Sequence, residues 1–429
     1  MLNHRRVKPC AIFFSFFIFL NTLFFYGFVR DGTWVIIAVL LIPLYHRIGL
    51  PNFLLSSLSF LFATIALIFI ISYGFPQLIY WPPWEKLKSM DESGLVIYKP
   101  NQSLQVQLPY GQLKPWSKKE EIFDIRPRKV FVQTDSLGFR NDANYSDEKF
   151  ILVGDSMIAG AGTSQEHILS AYLKNEFNVD AYNVAIPGAN ILDYVNYIKK
   201  FKSLHSDSFK TLMFLTEIND FDCTTEANDF HGENKPTTSK TTIKKIKKFY
   251  KEPIKQYKNL FKQNALYRFT FSAYRILKEG SVEGGENMLF IGNIGTHKAA
   301  FFVHNNRRKN CSLPKKVIDN IESIKEQIDY MIFIPKKYRV YFDEIENKTH
   351  SSINNVEWLA LKSLGKNMGI STINFTDLMI QESKKLLEGK NELLFWEDDS
   401  HWNGNGSRVT ARLLCRTIPE LGCSTHRIN

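Results

Sequence analysis

Cysteine is scarce, with five in 429 residues. Metal-ligand spacing is absent and the ten histidines do not cluster, so no metal centre is expected. A glycine-rich motif able to cradle phosphates is missing too, which leaves no nucleotide or other cofactor to expect. The amino-terminal quarter is strongly apolar, yet none of its apolar cores holds an ionisable residue, which argues against a proton or ion pathway there.

What that quarter does hold is three apolar stretches: Cys10 to Val29, Thr33 to Leu44 with its flanks, and Phe53 to Tyr73. A membrane-spanning helix needs roughly 20 mostly apolar residues, and each stretch reaches or nearly reaches that length, the middle one being the shortest. The first is too long for the apolar part of a cleaved signal, and no small-residue cleavage site follows Phe28-Val29-Arg30. Arg5, Arg6 and Lys8 precede the first stretch, and His46 and Arg47 lie between the second and third, so the positive-inside rule puts both loops in the cytoplasm. Three crossings then leave everything after about Phe75 outside, with Tyr80, Trp81 and Trp84 as an interfacial aromatic belt. The expectation is a multi-pass anchor over residues 1–76 in the plasma or inner membrane, lipid as a partner, and an extracytoplasmic domain over 77–429. That location makes nucleic acid an improbable ligand.

Cys223, Cys311, Cys415 and Cys423 all fall in the outside portion, and an even number in an oxidising compartment suggests two disulfides. Of the three possible connectivities we favour Cys415 with Cys423 and Cys223 with Cys311, four unpaired thiols being the alternative. From about 222 to 319 the chain shows little strand alternation and reads as a helical insertion. Much of the net charge of +11 sits there, with nine lysines from Lys240 to Lys262. Ile243, Ile246, Tyr250, Ile254, Tyr257 and Phe261 recur every three or four residues, which describes an amphipathic helix bent or broken at Pro253. Such a helix packs on the domain with solvated lysines, or else touches anionic lipid head groups or an acidic glycan.

The chemistry is concentrated at two sites. The apolar run Phe150-Ile151-Leu152-Val153 stops at Gly154-Asp155-Ser156, and Asp398-Asp399-Ser400-His401 is followed by Trp402-Asn403-Gly404. A serine hydroxyl becomes a nucleophile only when a histidine takes its proton and a carboxylate fixes that histidine's tautomer, so this pair of sites offers a complete set. A buried strand feeding a small-residue turn would put Ser156 at the carboxyl edge of a sheet. Each site alone reads as an ordinary turn or surface loop. Their order, and two further blocks after the strand-like runs Asp180 to Val184 and Thr211 to Leu215, change that reading.

In order and flanks the four blocks resemble the SGNH (GDSL-type) esterase and acyltransferase superfamily. Gly154-Asp155-Ser156 resembles its nucleophile block, Asn183 to Gly188 its second block, Thr216-Glu217-Ile218-Asn219-Asp220 its third, and Asp398 to His401 its fourth. The resemblance implies Ser156 as nucleophile and His401 as general base and then acid. The Ser156 and Gly188 amides and the Asn219 side chain would be the oxyanion-hole donors. The carboxylate stays open: the superfamily's common spacing selects Asp398, the spacing in His-Trp branches selects Asp399, and we favour Asp399. Glu217 stands where the third block often has glycine. His401-Trp402 resembles the branch that acts on envelope polysaccharides, and Asp135 to Asn141 resembles a segment found upstream of the nucleophile in membrane-anchored members.

The implied architecture is three transmembrane helices followed by an SGNH-like α/β domain, three layers around a central parallel sheet. That sheet would resume at Tyr330 to Pro335, continue at Ile370 to Phe375 and end near Leu393 to Phe395. The implied activity is esterase or O-acyltransferase on an O-acyl, in the first instance O-acetyl, ester of an extracytoplasmic glycan or lipid. A transferase would need a membrane partner to supply acyl groups. The alternative from another class is an inactive glycan-binding protein of envelope polysaccharide assembly or export.

Overall fold

The structure is a computed structural model. It describes residues 87–225 and 289–424, apart from 115–116, 118–121, 206–208, 218, 303–307 and 347–353, together with Ser59. The chain divides into two compact units, Met1–Tyr80 with Asn234–Val282, and Trp81–Glu233 with Glu283–Asn429. Nearly all described residues belong to the second. Apart from Ser59, the three apolar stretches lie outside the described residues, as does the lysine-rich segment, and among the described residues no helix is long and apolar enough to cross a membrane.

The second unit begins with two antiparallel pairs, β1 (Lys88–Met90) with β2 (Val96–Tyr98), and β3 (Ser103–Leu108) with β4 (Arg128–Gln133). The central sheet follows. β5 (Phe150–Val153), β6 (Ala181–Asn183) and β7 (Lys210–Thr216) are joined through α1 (Leu169–Phe177) and α2 (Ile191–Leu204). All four residues of β5 are buried, as a parallel strand covered on both faces requires. Asn190 and Asp193 close a reciprocal capping box at the start of α2, which fixes where the chain turns from the β6 edge into the helix.

After β7 come β8 (Asp222–Thr225), β9 (Leu289–Ile294), β10 (His297–Phe302) and β11 (Arg308–Ser312), then α3 (Lys315–Glu322). β8 pairs antiparallel with β11 and β9 with β10. The described parts of the 222–319 segment thus hold four strands ahead of the start of α3, a correction to the expectation of a helical insertion with little strand. Gly295, at φ 54, turns the chain so that Ile294 faces His297 across a two-residue hairpin, and local turn chemistry outweighs the segment's polar composition.

The sheet resumes with β12 (Tyr330–Ile334), followed by α4 (Lys337–Val340), α5 (Val356–Met368), β13 (Ser371–Asn374), α6 (Thr376–Lys390) and α7 (Gly404–Thr417). Its five strands are all parallel, in the order β13-β12-β7-β5-β6. The winding direction reverses between β5 and β7, and in such sheets the crevice beyond the carboxyl ends at the reversal is where ligands sit. Ser156 follows β5 and Asn219 follows β7, so both expected blocks open onto that crevice.

Leu393–Phe395 does not join the sheet as expected. Its backbone is engaged by the next turn: the Asn403 amide nitrogen donates to Leu394 O at 3.0 Å, the Asn403 side chain donates to Leu393 O at 2.8 Å, and Phe395 forms an isolated bridge with Trp402. The Cys415–Cys423 disulfide forms as expected, with Cα atoms 5.7 Å apart. Cys311 is also disulfide-bonded, and the backbone register sets it opposite Cys223.

Candidate active site

The turn after β5 is built to present one side chain. Asp155, fully buried beneath it, accepts from the Met157 amide at 2.9 Å and, through its other oxygen, from Thr216 Oγ1 at 2.8 Å and Asn219 Nδ2 at 2.6 Å. One buried carboxylate thus ties the first block to the third and leaves Ser156 half-buried at the rim. Arg140, inside the Asp135 to Asn141 segment, braces the same turn from the other side. Its guanidinium donates to the carbonyls of Ala159 (3.1 Å), Gly160 (2.6 Å) and Thr163 (2.6 Å). Asn141 exchanges hydrogen bonds with the backbone of Asn183 on β6. That upstream segment holds the nucleophile turn against the sheet, a role its sequence did not reveal.

The fourth block is a loop from Phe395 to Trp402, closed by their bridge and by the Trp396 amide donating to His401 O at 3.3 Å. It turns His401 toward the serine, with Nε2 2.7 Å from Ser156 Oγ and Nδ1 2.7 Å from Asp399 Oδ1. Asp398 faces away and accepts from the Gly111 and Arg126 amides and from Arg128. Of the two aspartates, Asp399 is the one that meets the histidine.

Asp399 is buried, and burial alone would push its carboxyl up. The adjacent His401, Arg128 and the Gln112 amide outweigh that and hold it at about 2. Arg128, at the start of β4, donates to Asp399 Oδ2 at 3.0 Å and to Asp398 Oδ1 at 3.1 Å, with its guanidinium 4.3 Å from the centre of the Trp396 ring. Gln112 adds its amide to Asp399 and its side chain to Ser400 Oγ. Sequence reasoning missed Arg128 and Gln112, because nothing local marks them.

Gly188 lies in the turn after β6 at φ +76, a conformation that favours glycine. The neighbouring Ile186 amide bonds Gly154 O at 3.4 Å, which sets this turn beside the nucleophile turn, and Lys88 Nζ donates to Pro187 O at 2.5 Å. Glu217, in the place of the usual glycine, is fully buried and saturated. It receives Lys336 Nζ at 3.0 Å and both arms of Arg339 at 2.7 Å, and these cations overcome burial to hold its carboxyl at about 2.

One group among the described residues, Asp124, His297 and Glu397, has donors close enough to share a metal ion. Arg126 already pairs with Glu397 at 2.9 Å, and both His297 nitrogens have partners, Glu397 and the Asn391 carbonyl. An ion held there would have to displace these contacts of Glu397 and His297.

A hydroxyl, an imidazole and a carboxylate in one hydrogen-bonded line, at the edge of a parallel sheet, suit acyl transfer through a serine. The GDSL-like lipase/acylhydrolase family matches over residues 150–414, more than half of the chain. The chain belongs to that family. Its match spans all four blocks, from β5 through the histidine loop and into α7, and with it the protein is an α/β-fold relative of esterases and acyltransferases. Among solved structures, the crystal structure of protein YxiM from Bacillus subtilis is similar at 12% identity, covering 76% of this chain and 84% of that one with a TM-score of 0.33, too distant to bear on this GDSL-like site. No curated protein matches the chain.

Proposed function

We propose that this protein is a membrane-anchored serine esterase or O-acyltransferase acting on an O-acyl ester of a glycan or lipid outside the cytoplasm. The observation that carries the proposal is the unbroken line from Asp399 through His401 to Ser156, with both links at 2.7 Å. In this reading His401 Nε2 takes the Ser156 proton as Oγ attacks the acyl carbon. The oxyanion draws on the Ser156 and Gly188 amides and the second N–H of Asn219, whose first N–H is held by Asp155. His401 then protonates the leaving alkoxide, and an acyl-Ser156 remains. Water as the second acceptor completes hydrolysis, and a sugar hydroxyl completes transfer.

Support for the membrane setting comes from the three apolar stretches and their flanking charges, and the lysine-rich segment fits an anionic lipid or glycan surface. The test is p-nitrophenol release from p-nitrophenyl acetate by the full chain in detergent, beside Ser156→Ala and His401→Ala. Both variants should lose at least about a thousandfold in kcat. Labelling of Ser156 by a fluorophosphonate without turnover points to a strict transferase that needs its own acceptor. Neither labelling nor turnover sinks the proposal in favour of an inactive binding protein.

A further inference from the structure

Lys337 opens α4 two residues beyond the Pro335 that ends the β12 run, and its side chain is almost wholly buried, at 2% exposure. Its ammonium lies within 2.7 Å of Trp396 O, 2.9 Å of both Glu397 O and Ala300 O, and 3.2 Å of Asp399 O. Three of these carbonyls belong to the loop that carries Asp399 and His401, and the fourth belongs to β10, whose Ala300 amide in turn donates to Glu397 O at 2.9 Å. The ring of Phe301 closes the remaining side, its centre 4.9 Å away.

Four carbonyl oxygens aimed at one point repel one another unless a donor or a cation occupies it, because their negative ends converge in a poorly solvated space. Lys337 is the group at that point. The site proposed above depends on the same loop backbone, since Asp399 and His401 are two residues apart and the distance from His401 to Ser156 follows from where the loop lies. We infer that Lys337 is a positioning residue of this site: its ammonium gathers the carbonyls of Trp396, Glu397 and Asp399 and so fixes the height at which Asp399 meets His401. The inference rests on the serine mechanism just proposed and adds the sheet's β12 end as the support from which the loop is held.

The charged groups facing Lys337 are Glu397, Asp398 and Asp399, which favour the ammonium, and Arg128, which opposes it. Burial outweighs the carboxylates and pulls the amine down to about 8. On deprotonation the amine has two N–H donors for four carbonyls and no charge, so the loop loosens on the alkaline side, at or above about pH 8.

The experiment measures the rate of Ser156 labelling by a fluorophosphonate, and kcat and KM for p-nitrophenyl acetate where turnover is present, from pH 6 to pH 10. It uses the full chain in detergent as wild type, Lys337→Met and Lys337→Arg. Wild type should lose reactivity reversibly at or above about pH 8. Lys337→Met should react roughly tenfold to a hundredfold more slowly at pH 7, as expected for a reacting group displaced by a fraction of an ångström, with KM within threefold and no alkaline limb. A folded Lys337→Met with wild-type rate and pH profile overturns the inference. Should Lys337→Met fail to fold, Lys337→Arg decides, because its charge does not titrate in this range: loss of the limb supports the role, and a retained limb overturns it. A wild-type profile flat to pH 10 also overturns it, whichever variants fold. Ser156→Ala separates the two levels, since labelling or turnover that survives in it removes the serine mechanism itself and this inference with it.

Discussion

Two buried ionic clusters flank the carboxyl end of the sheet, and adjacent lysines serve them. Lys336 turns to Glu217 after β7, alongside Arg339, while Lys337 turns to the loop bearing Asp398 and Asp399, alongside Arg128. In the first cluster Glu217 meets Lys336, Arg339 and the Lys336 amide, and Arg339 also reaches Asn354, Asn355 and, at 3.7 Å, Glu357. In the second, one carboxylate oxygen is turned outward to a histidine that reaches a serine. The ingredients are nearly the same. A closed cluster holds two strands' ends together, and the same cluster opened at one oxygen becomes the rear of a reactive line.

The contrast is broken most severely at the open oxygen. Asp399→Asn should lower kcat about a thousandfold to ten-thousandfold by removing the charge that fixes the His401 tautomer. Asp398→Asn, measured beside it, should chiefly lower the melting temperature, and a reversal of these effects would reassign the two aspartates. In the closed cluster, Arg339→Met strands Glu217 with one cation. It should cost about 3–5 kcal/mol in denaturant unfolding, with kcat of the folded protein within threefold of wild type.

Asn219→Ala sits between the clusters, beside Glu217 and bonded to Asp155. It should lose about a hundredfold in kcat with KM little changed. The smallest effect is the response to acid. Asp399 and Glu217 keep their charge down to about 2 in the fold but have ordinary values of 3.8 and 4.5, so the stability they contribute is complete above pH 4.5 and is withdrawn as pH falls toward 2. Unfolding free energy should drop by on the order of 2–3 kcal/mol per group across that window, and Arg339→Met should flatten the share belonging to Glu217.

The open cluster was the more legible in the sequence. Ser156 and His401 stood out through the order of the four blocks and their resemblance to a known superfamily, each site alone reading as an ordinary turn or loop, while the parallel strands show as unbroken apolar runs. Arg128 was not legible, because it acts on an aspartate 271 positions away and nothing in its own surroundings marks it. Lys336-Lys337 did leave a trace: two lysines directly after a buried strand cannot both reach water there, and each needs acceptors. Glu217 in place of glycine called for the same reasoning, since a buried carboxylate at a strand end implies a cation nearby. The choice between Asp398 and Asp399 turned on which way a loop rotates, and spacing alone does not encode that.

One contact sets the timing of all this. The Gly111 amide meets the Asp398 carboxylate across 287 positions at 2.7 Å, and a methyl group on residue 111 would stand 2.4 Å from the Asp398 carbonyl, so only a bare backbone fits. A growing chain makes Ser156 long before it makes His401, and even then the loop gains its seat only when this early segment closes over it. Such a distant closure is among the slow steps of folding. On the mechanism proposed above, Ser156 therefore stays latent until the chain is finished and this closure is made.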